Sequence, residues 1–390
     1  MLAPAWLLRG ITDFTVSGMV VLEELVLTLK NMPQLQILSV FLQGPTHSDI
    51  PEAVVADLPS LSLFKVGDYN PHSFWTLLSH LRMPATVRMR LLLTPIAAAS
   101  WESWSDFLHA MNSLLLPRMR DTFRQVHIRG GPYDGHICAW TTALSEDSAD
   151  ATLRPPEAAR FVFHVMWKES FLKPFSAQGR TFSSPFFHLP TLCFHLAVKE
   201  VTALTITQDL YHDAVPSSHW FSLLLHFSAL ESLTLHGSTP GLFAAISALL
   251  PAMPADQYPM VLPHLKKLTI SSVKINSASM PEPGSDYFSS MKRTLARRIA
   301  KPERNDITDE LMTFLWDRAP SRVACPLELV LLGCDVDVLA AKALRDCVGE
   351  LRVTQDPHAP PEGLDQKARY ILDSKCVDLD SPLTSMMFAT

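Results

Sequence analysis

The chain has 390 residues, 47% of them hydrophobic and 18% charged, with a formal net charge of −6. That apolar content excludes a mainly disordered chain and suffices for a large core. The mildly acidic balance gives no global attraction to nucleic acid or to an anionic membrane.

Met1–Arg9 lacks a basic region ahead of its short apolar run, so no signal peptide is expected. From Leu22 onward a Leu-x-x-Leu-x-Leu pattern, or a near match, keeps returning. It reads at Leu22–Leu27, Leu35–Val40, Leu61–Val66, Phe123–Ile128, Val201–Ile206, Leu230–Leu235, Leu265–Ile270, Leu327–Leu332 and Val348–Val353. This is the strand signature of a leucine-rich repeat, and repeat solenoids are usually binding surfaces. The spacing is uneven. Two degenerate strands are predicted in the long gaps, where Val87, Met89, Leu91 and Leu93 alternate, and where Phe161, Phe163 and Val165 do.

Helical stripes sit between the strands. Phe74, Leu77, Leu78 and Leu81 share one face of a predicted helix from Pro71. Trp104, Phe107, Leu108, Met111 and Leu115 share another, as do Trp220, Leu223, Leu224 and Phe227. In Asp306–Trp316, Asp306 is a candidate N-cap, and Leu311, Phe314 and Leu315 form the stripe. Asp335–Val348 supplies Val338, Leu339, Ala343 and Leu344. Strand, loop, helix, loop, strand predicts an α/β fold: an irregular leucine-rich-repeat solenoid, a curved parallel sheet with outer helices. The expected division is a cap over residues 1–21, a solenoid over 22–354 with an insertion at about 276–305, and a cap or tail over 355–390.

The chemistry-bearing residues form no catalytic constellation. There is no Gly-x-Ser-x-Gly elbow, Walker loop, Gly-x-Gly-x-x-Gly or His-Glu-x-x-His. The chain has 15 histidines and six cysteines. His127, His136 and Cys138 lie close together, as do His188, Cys193 and His195, but none makes two tight ligand pairs, so neither metal nor cofactor is expected. With no Cys-x-x-Cys, the cysteines read as buried free thiols of a reducing compartment, and the chain as cytoplasmic or nuclear. Neither of the long uncharged stretches, Ala214–Leu230 and Gly237–Ala255, makes a convincing membrane span.

Two surfaces stand out. Lys292, Arg293, Arg297, Arg298, Lys301 and Arg304 form a basic run beside the apolar stripe Phe288, Met291, Leu295 and Ile299. It reads either as a solvated helix face or as an import or acidic-partner patch. The second surface follows from strand alternation. If the pattern leucines point into the core, the residues between them line the concave wall. That puts there Gln125, His127 and Arg129; Thr205 and Thr207; Thr234 and His236; Lys267, Thr269 and Ser271; and Arg352 and Thr354. A peptide recognised there would be acidic or phosphorylated, favoured by Arg129, Lys267 and Arg352.

These strands, their uneven spacing, the Trp- and Pro-rich helices and the late strand Leu331-Leu332-Gly333-Cys334-Asp335 resemble the repeat region of the F-box proteins of mushroom-forming fungi, over about Leu22–Val353. The resemblance implies a non-enzymatic protein-interaction solenoid that captures a substrate for a ubiquitin ligase. An F-box opens on a Leu-Pro-x-Glu-like segment, which is not found before Leu22, so an adaptor partner is expected only if such a module lies upstream. The alternative is an intracellular scaffold or recognition repeat unrelated to ubiquitin. Neither nucleic acid nor membrane is an expected partner.

Overall fold

The computed structural model describes residues 8–42, 50–68, 71–93, 123–130, 134–142, 158–166, 198–208, 217–237, 242–243, 262–275, 308–317, 327–336 and 338–354. Its centre is a 12-stranded, mostly parallel sheet. The strands are β1 (Asp13–Gly18), β2 (Ile37–Leu42), β4 (Leu63–Asp68), β6 (Arg88–Leu93), β7 (Gln125–Gly130), β8 (Asp134–Trp140) and β9 (Phe161–Met166), followed by β10 (Ala203–Gln208), β11 (Ser232–His236), β12 (Lys267–Ser271), β14 (Glu328–Leu332) and β16 (Glu350–Thr354). Two short parallel pairs flank it: β3 (Ala56–Asp57) with β5 (Leu81–Arg82), and β13 (Lys274–Ile275) with β15 (Asp335–Val336). The helices are α1 (Leu22–Leu29), α2 (Pro71–Ser79), α3 (Ser217–Leu224), α4 (Thr308–Asp317) and α5 (Val338–Cys347).

Two side-chain columns run unbroken through all these sheet strands. One passes Phe14, Leu38, Phe64, Met89, Phe161, Ala139, Val126, Leu204, Leu233, Leu268, Leu329 and Leu351. The other runs from Val16 through Val66, Ile128 and Ile270 to Val353. These are the fourth and sixth positions of the repeating pattern. They face the helices and, apart from Val353 at the last strand, which is exposed, pack with Leu25, Leu29, Leu77, Trp220, Leu223, Leu311 and Leu344 in one core. The first position has a different task. Leu35, Leu61, Val201, Leu230 and Leu265 each sit two residues ahead of a strand, and each backbone N–H donates to a carbonyl three residues back. Their side chains are buried, so one turn, repeated, satisfies the backbone and fills the core under each strand entry.

Both degenerate strands are present, as β6 and β9. Three sequence readings need correction. Leu22–Leu27 is not a strand but most of α1. Leu22, Leu25, Val26 and Leu29 fall at helical spacing and are all buried, and Glu23 and Glu24 in its first turn suit the helix dipole. The first strand lies earlier, as β1, where the motif reads Ile11-Thr12-Asp13-Phe14-Thr15-Val16 and Phe14 stands opposite Leu38. At β14 the frame read from Leu327 is off by one. Leu329 and Leu331, not Val330 and Leu332, continue the core columns. In a strand a one-residue slip exchanges the two faces.

The largest departure is in the middle. The sheet order is β1-β2-β4-β6-β9-β8-β7-β10-β11-β12-β14-β16. β7, β8 and β9 form an antiparallel meander laid down in reverse, so β9 pairs in parallel with β6 and β7 with β10. Arg160 anchors the junction by donating to the carbonyls of Ala85 and Thr86 just ahead of β6.

After β11, β12 and β14 the chain turns through the left-handed region at Gly237, Ser272 and Gly333, with φ of 80°, 60° and 55°. Serine there carries a steric cost that glycine does not. Ser272→Val is therefore expected to lower stability by about 1–2 kcal/mol in urea unfolding, while Ser272→Gly does not; equal midpoints for the two variants would refute this.

Candidate functional site

The sheet face turned away from the helices carries the polar residues. Register places on it every wall residue expected from the sequence: Gln125, His127 and Arg129 on β7, Thr205 and Thr207 on β10, Thr234 and His236 on β11, Lys267, Thr269 and Ser271 on β12, and Arg352 and Thr354 on β16. They do not form one uniform surface. Gln125, Thr205, Thr269 and Ser271 are buried; His127, Arg129, Thr207, Thr234, His236 and Lys267 are half-buried; Arg352 is exposed.

The centre of this face was not legible as a unit. The meander adds Trp140, Cys138 and His136 from β8 and His164 from β9. His127 lies opposite Cys138, and His136 opposite His164. The His136 and His164 rings are 5.3 Å apart, centroid to centroid. His136 Nε2 is 3.4 Å from Cys138 Sγ, and His127 Nε2 hydrogen-bonds Thr207 Oγ1 at 2.9 Å. Two strands on, His236 Nδ1 bonds Ser271 Oγ at 2.5 Å. Gln125 Oε1 is buried with no hydrogen-bond partner among the described residues. The sequence signal for this cluster was the closeness of His127, His136 and Cys138 along the chain, which did not show that they share a face with His164.

Burial, and then neighbouring charge, disfavours the charged form of His127 and His136. Burial, then His236 and Arg129, lower the His127 pKa to about 3. Burial, then His164, His127 and Arg129, hold His136 well below the usual histidine range. A charged imidazole would lose solvation and meet like charge. Nitrogen and sulfur gather here, yet among the described residues no three His, Cys, Asp or Glu are arranged to hold a metal ion. His136 is turned to Cys138 and His127 to Thr207.

Toward β16 the charges neutralise one another. Arg352 Nε donates to Glu350 Oε1 at 2.8 Å and lies 3.3 Å from Glu328 Oε1. The second contact is an ion pair without a formed hydrogen bond, since Glu328 Oε1 has no hydrogen-bond partner. The Arg352 side chain holds the Glu350 carboxyl below its usual range, by hydrogen bond first and then by charge, and Lys267 adds to this. Arg352 is thus engaged within the chain and is a poorer anion receptor than the sequence suggested. Toward β1, Lys65 lies opposite Arg90, with Arg88 two residues before it on the same face. Phe41 lies over Gly67, where an added Cβ would meet its ring at 2.8 Å.

No family model matches the chain, and no curated protein matches it. The basic run Lys292, Arg293, Arg297, Arg298, Lys301 and Arg304 lies outside the described residues, as do the predicted helix over Trp101–Leu115 and the tail beyond Thr354. Cys138, Cys334 and Cys347 are free thiols. Among the described residues no helix is long and apolar enough to cross a membrane.

Proposed function

We propose that the chain is a non-enzymatic protein-interaction solenoid of the leucine-rich-repeat kind, comparable to the substrate-capturing region of fungal F-box proteins, and that it binds its partner on the polar sheet face. The observation that carries this reading is the division of labour within each strand. The core columns are apolar from one edge of the sheet to the other, whereas the opposite face changes chemistry strand by strand, from Lys65 and Arg90 through the histidines to Thr234 and Lys267. A core repeats because packing repeats. A varied face on a regular frame is how a solenoid displays recognition groups. The adaptor of a ubiquitin ligase joins this picture only where an F-box module lies upstream.

The test is a pair of substitutions on opposite faces, read against a partner recovered from the source cell and then purified. Thr234→Trp places a large ring on the half-buried polar face and is expected to weaken binding at least tenfold. Leu339→Asp changes an exposed leucine on α5 and is expected to leave binding unchanged. The reverse ranking would remove the polar face from the interaction.

A further inference from the structure

The charge on the polar face is one-sided. On the strands from β2 to β12 it presents Lys65, Arg88, Arg90, Arg129 and Lys267 together with His127, His136, His164 and His236. Carboxylates belong to its margins: Asp13 on β1, and Glu328 and Glu350 on β14 and β16. Asp134, which opens β8 opposite Met166, is the single acidic residue between them on this face among the described residues. This distribution occurs in a chain whose net charge is −6, so it is not a reflection of overall composition.

We propose that the central polar face binds an acidic peptide segment, its carboxylates received by Arg90, Arg129, His136 and His236. This rests on the interaction reading above and names its partner's chemistry. The margins set the length. From β2 to β12 the face crosses nine strands, whose eight spacings of about 4.8 Å span roughly 38 Å, enough for an extended segment of about 11 residues. A long polyanion would run on past Glu328 and Glu350 at one side. Nor does the face offer the open aromatic platform that single-stranded nucleic acid uses, since Trp140 is buried and the Phe41 ring is laid over Gly67.

Protons follow from the same arrangement. His127 and His136, which lie among these groups on the central strands, are neutral near pH 7 because burial and the neighbouring cations disfavour their charged form. An arriving carboxylate reverses the second of those causes, so binding draws protons onto His127 and His136. By linkage, affinity then rises as pH falls, up to about tenfold per pH unit for each proton taken up.

The experiment is calorimetry on the full chain with the synthetic peptide acetyl-(Glu-Ala)5-amide and its Gln counterpart, at pH 7.5 and 6.0, in two buffers of different ionisation heat. The Glu peptide is expected to bind several-fold more tightly at pH 6.0, with a buffer-dependent heat showing proton uptake, and the Gln peptide not to bind. Arg129→Gln with His236→Asn is expected to weaken binding at least tenfold. Arg90→Gln, a substitution on a half-buried side chain, is expected to weaken it severalfold, and circular dichroism reports whether each variant is folded. No binding of the Glu peptide at either pH, or equal binding by folded variants, overturns the proposal. The two readings separate on the recovered partner. Loss with Thr234→Trp but not with Arg129→Gln/His236→Asn retains the interaction face and overturns the acidic ligand. Indifference to both variants overturns both.

Discussion

Phe161→Ala is expected to lower the unfolding free energy by about 3–5 kcal/mol, the usual cost of emptying a fully buried aromatic site. Phe161 has no exposed surface. It occupies the core column between Met89 on parallel β6 and Ala139 on antiparallel β8, and its ring lies 6.5 Å from that of Phe123. Its neighbours are held in place by strand pairing on both sides, so they cannot collapse into the space left behind. Phe14 stands in the same column but on edge strand β1, where one side has no neighbouring strand among the described residues and its ring is only partly buried. Phe14→Ala is expected to cost less than about 1.5 kcal/mol. Urea unfolding of both variants decides the matter; equal losses would show that the meander junction is no better packed than the edge.

Stability is expected to fall on acidification from pH 6.5 to pH 5, before carboxylates titrate appreciably. The sign follows from His127, whose folded value is about 3 against about 6.5 in an unfolded chain. Above pH 6.5 both states are neutral and stability is complete. Below it the unfolded chain takes a proton that the folded one refuses, so the folded state loses ground as pH falls, until the folded pKa is reached. The limiting slope is about 1.4 kcal/mol per pH unit for each such histidine, and His136 is shifted in the same direction. Replacing His127 by Asn should flatten the profile, because the group that titrates only on unfolding is gone. Unfolding midpoints measured across that window check it: a His127→Asn profile as steep as that of the parent chain would refute the assignment.

Much of the sheet could be read from the chain because its pattern records burial on one face. Leu233, Leu268 and Leu204 are in the core columns for the reason their spacing suggested. The reading failed where apolar spacing served another geometry. In α1, Leu22 and Leu25 satisfy both a strand motif and a helical stripe, and only Val26 and Leu29, also buried, decide for the helix. At β14, the run Leu329-Val330-Leu331-Leu332 gives no polar residue to fix the frame, so register is set by pairing with β12. β1 was missed although Ile11, Phe14 and Val16 occupy the three apolar positions of the pattern. The polar face was legible for β7 and β10–β12, where each strand follows its own leucines. It was not legible for His136, Cys138 and His164. Their place beside His127 depends on the order in which three strands are laid side by side, and no local periodicity encodes that order.

The reversed meander also changes how stability is shared along the molecule. In a plain stack of repeats each unit leans only on its sequence neighbours, and the ends can melt while the middle holds. Here β6 finds its parallel partner in β9, beyond both β7 and β8, and β10 finds its own in β7, back across both β8 and β9. The block from β1 to β6 and the block from β10 to β16 share no ladder with each other; the three meander strands lie between them in the sheet order. Loop closure at both junctions must therefore precede any cooperation between the blocks. The meander is the element that couples the two parallel blocks, and the histidine cluster sits on it.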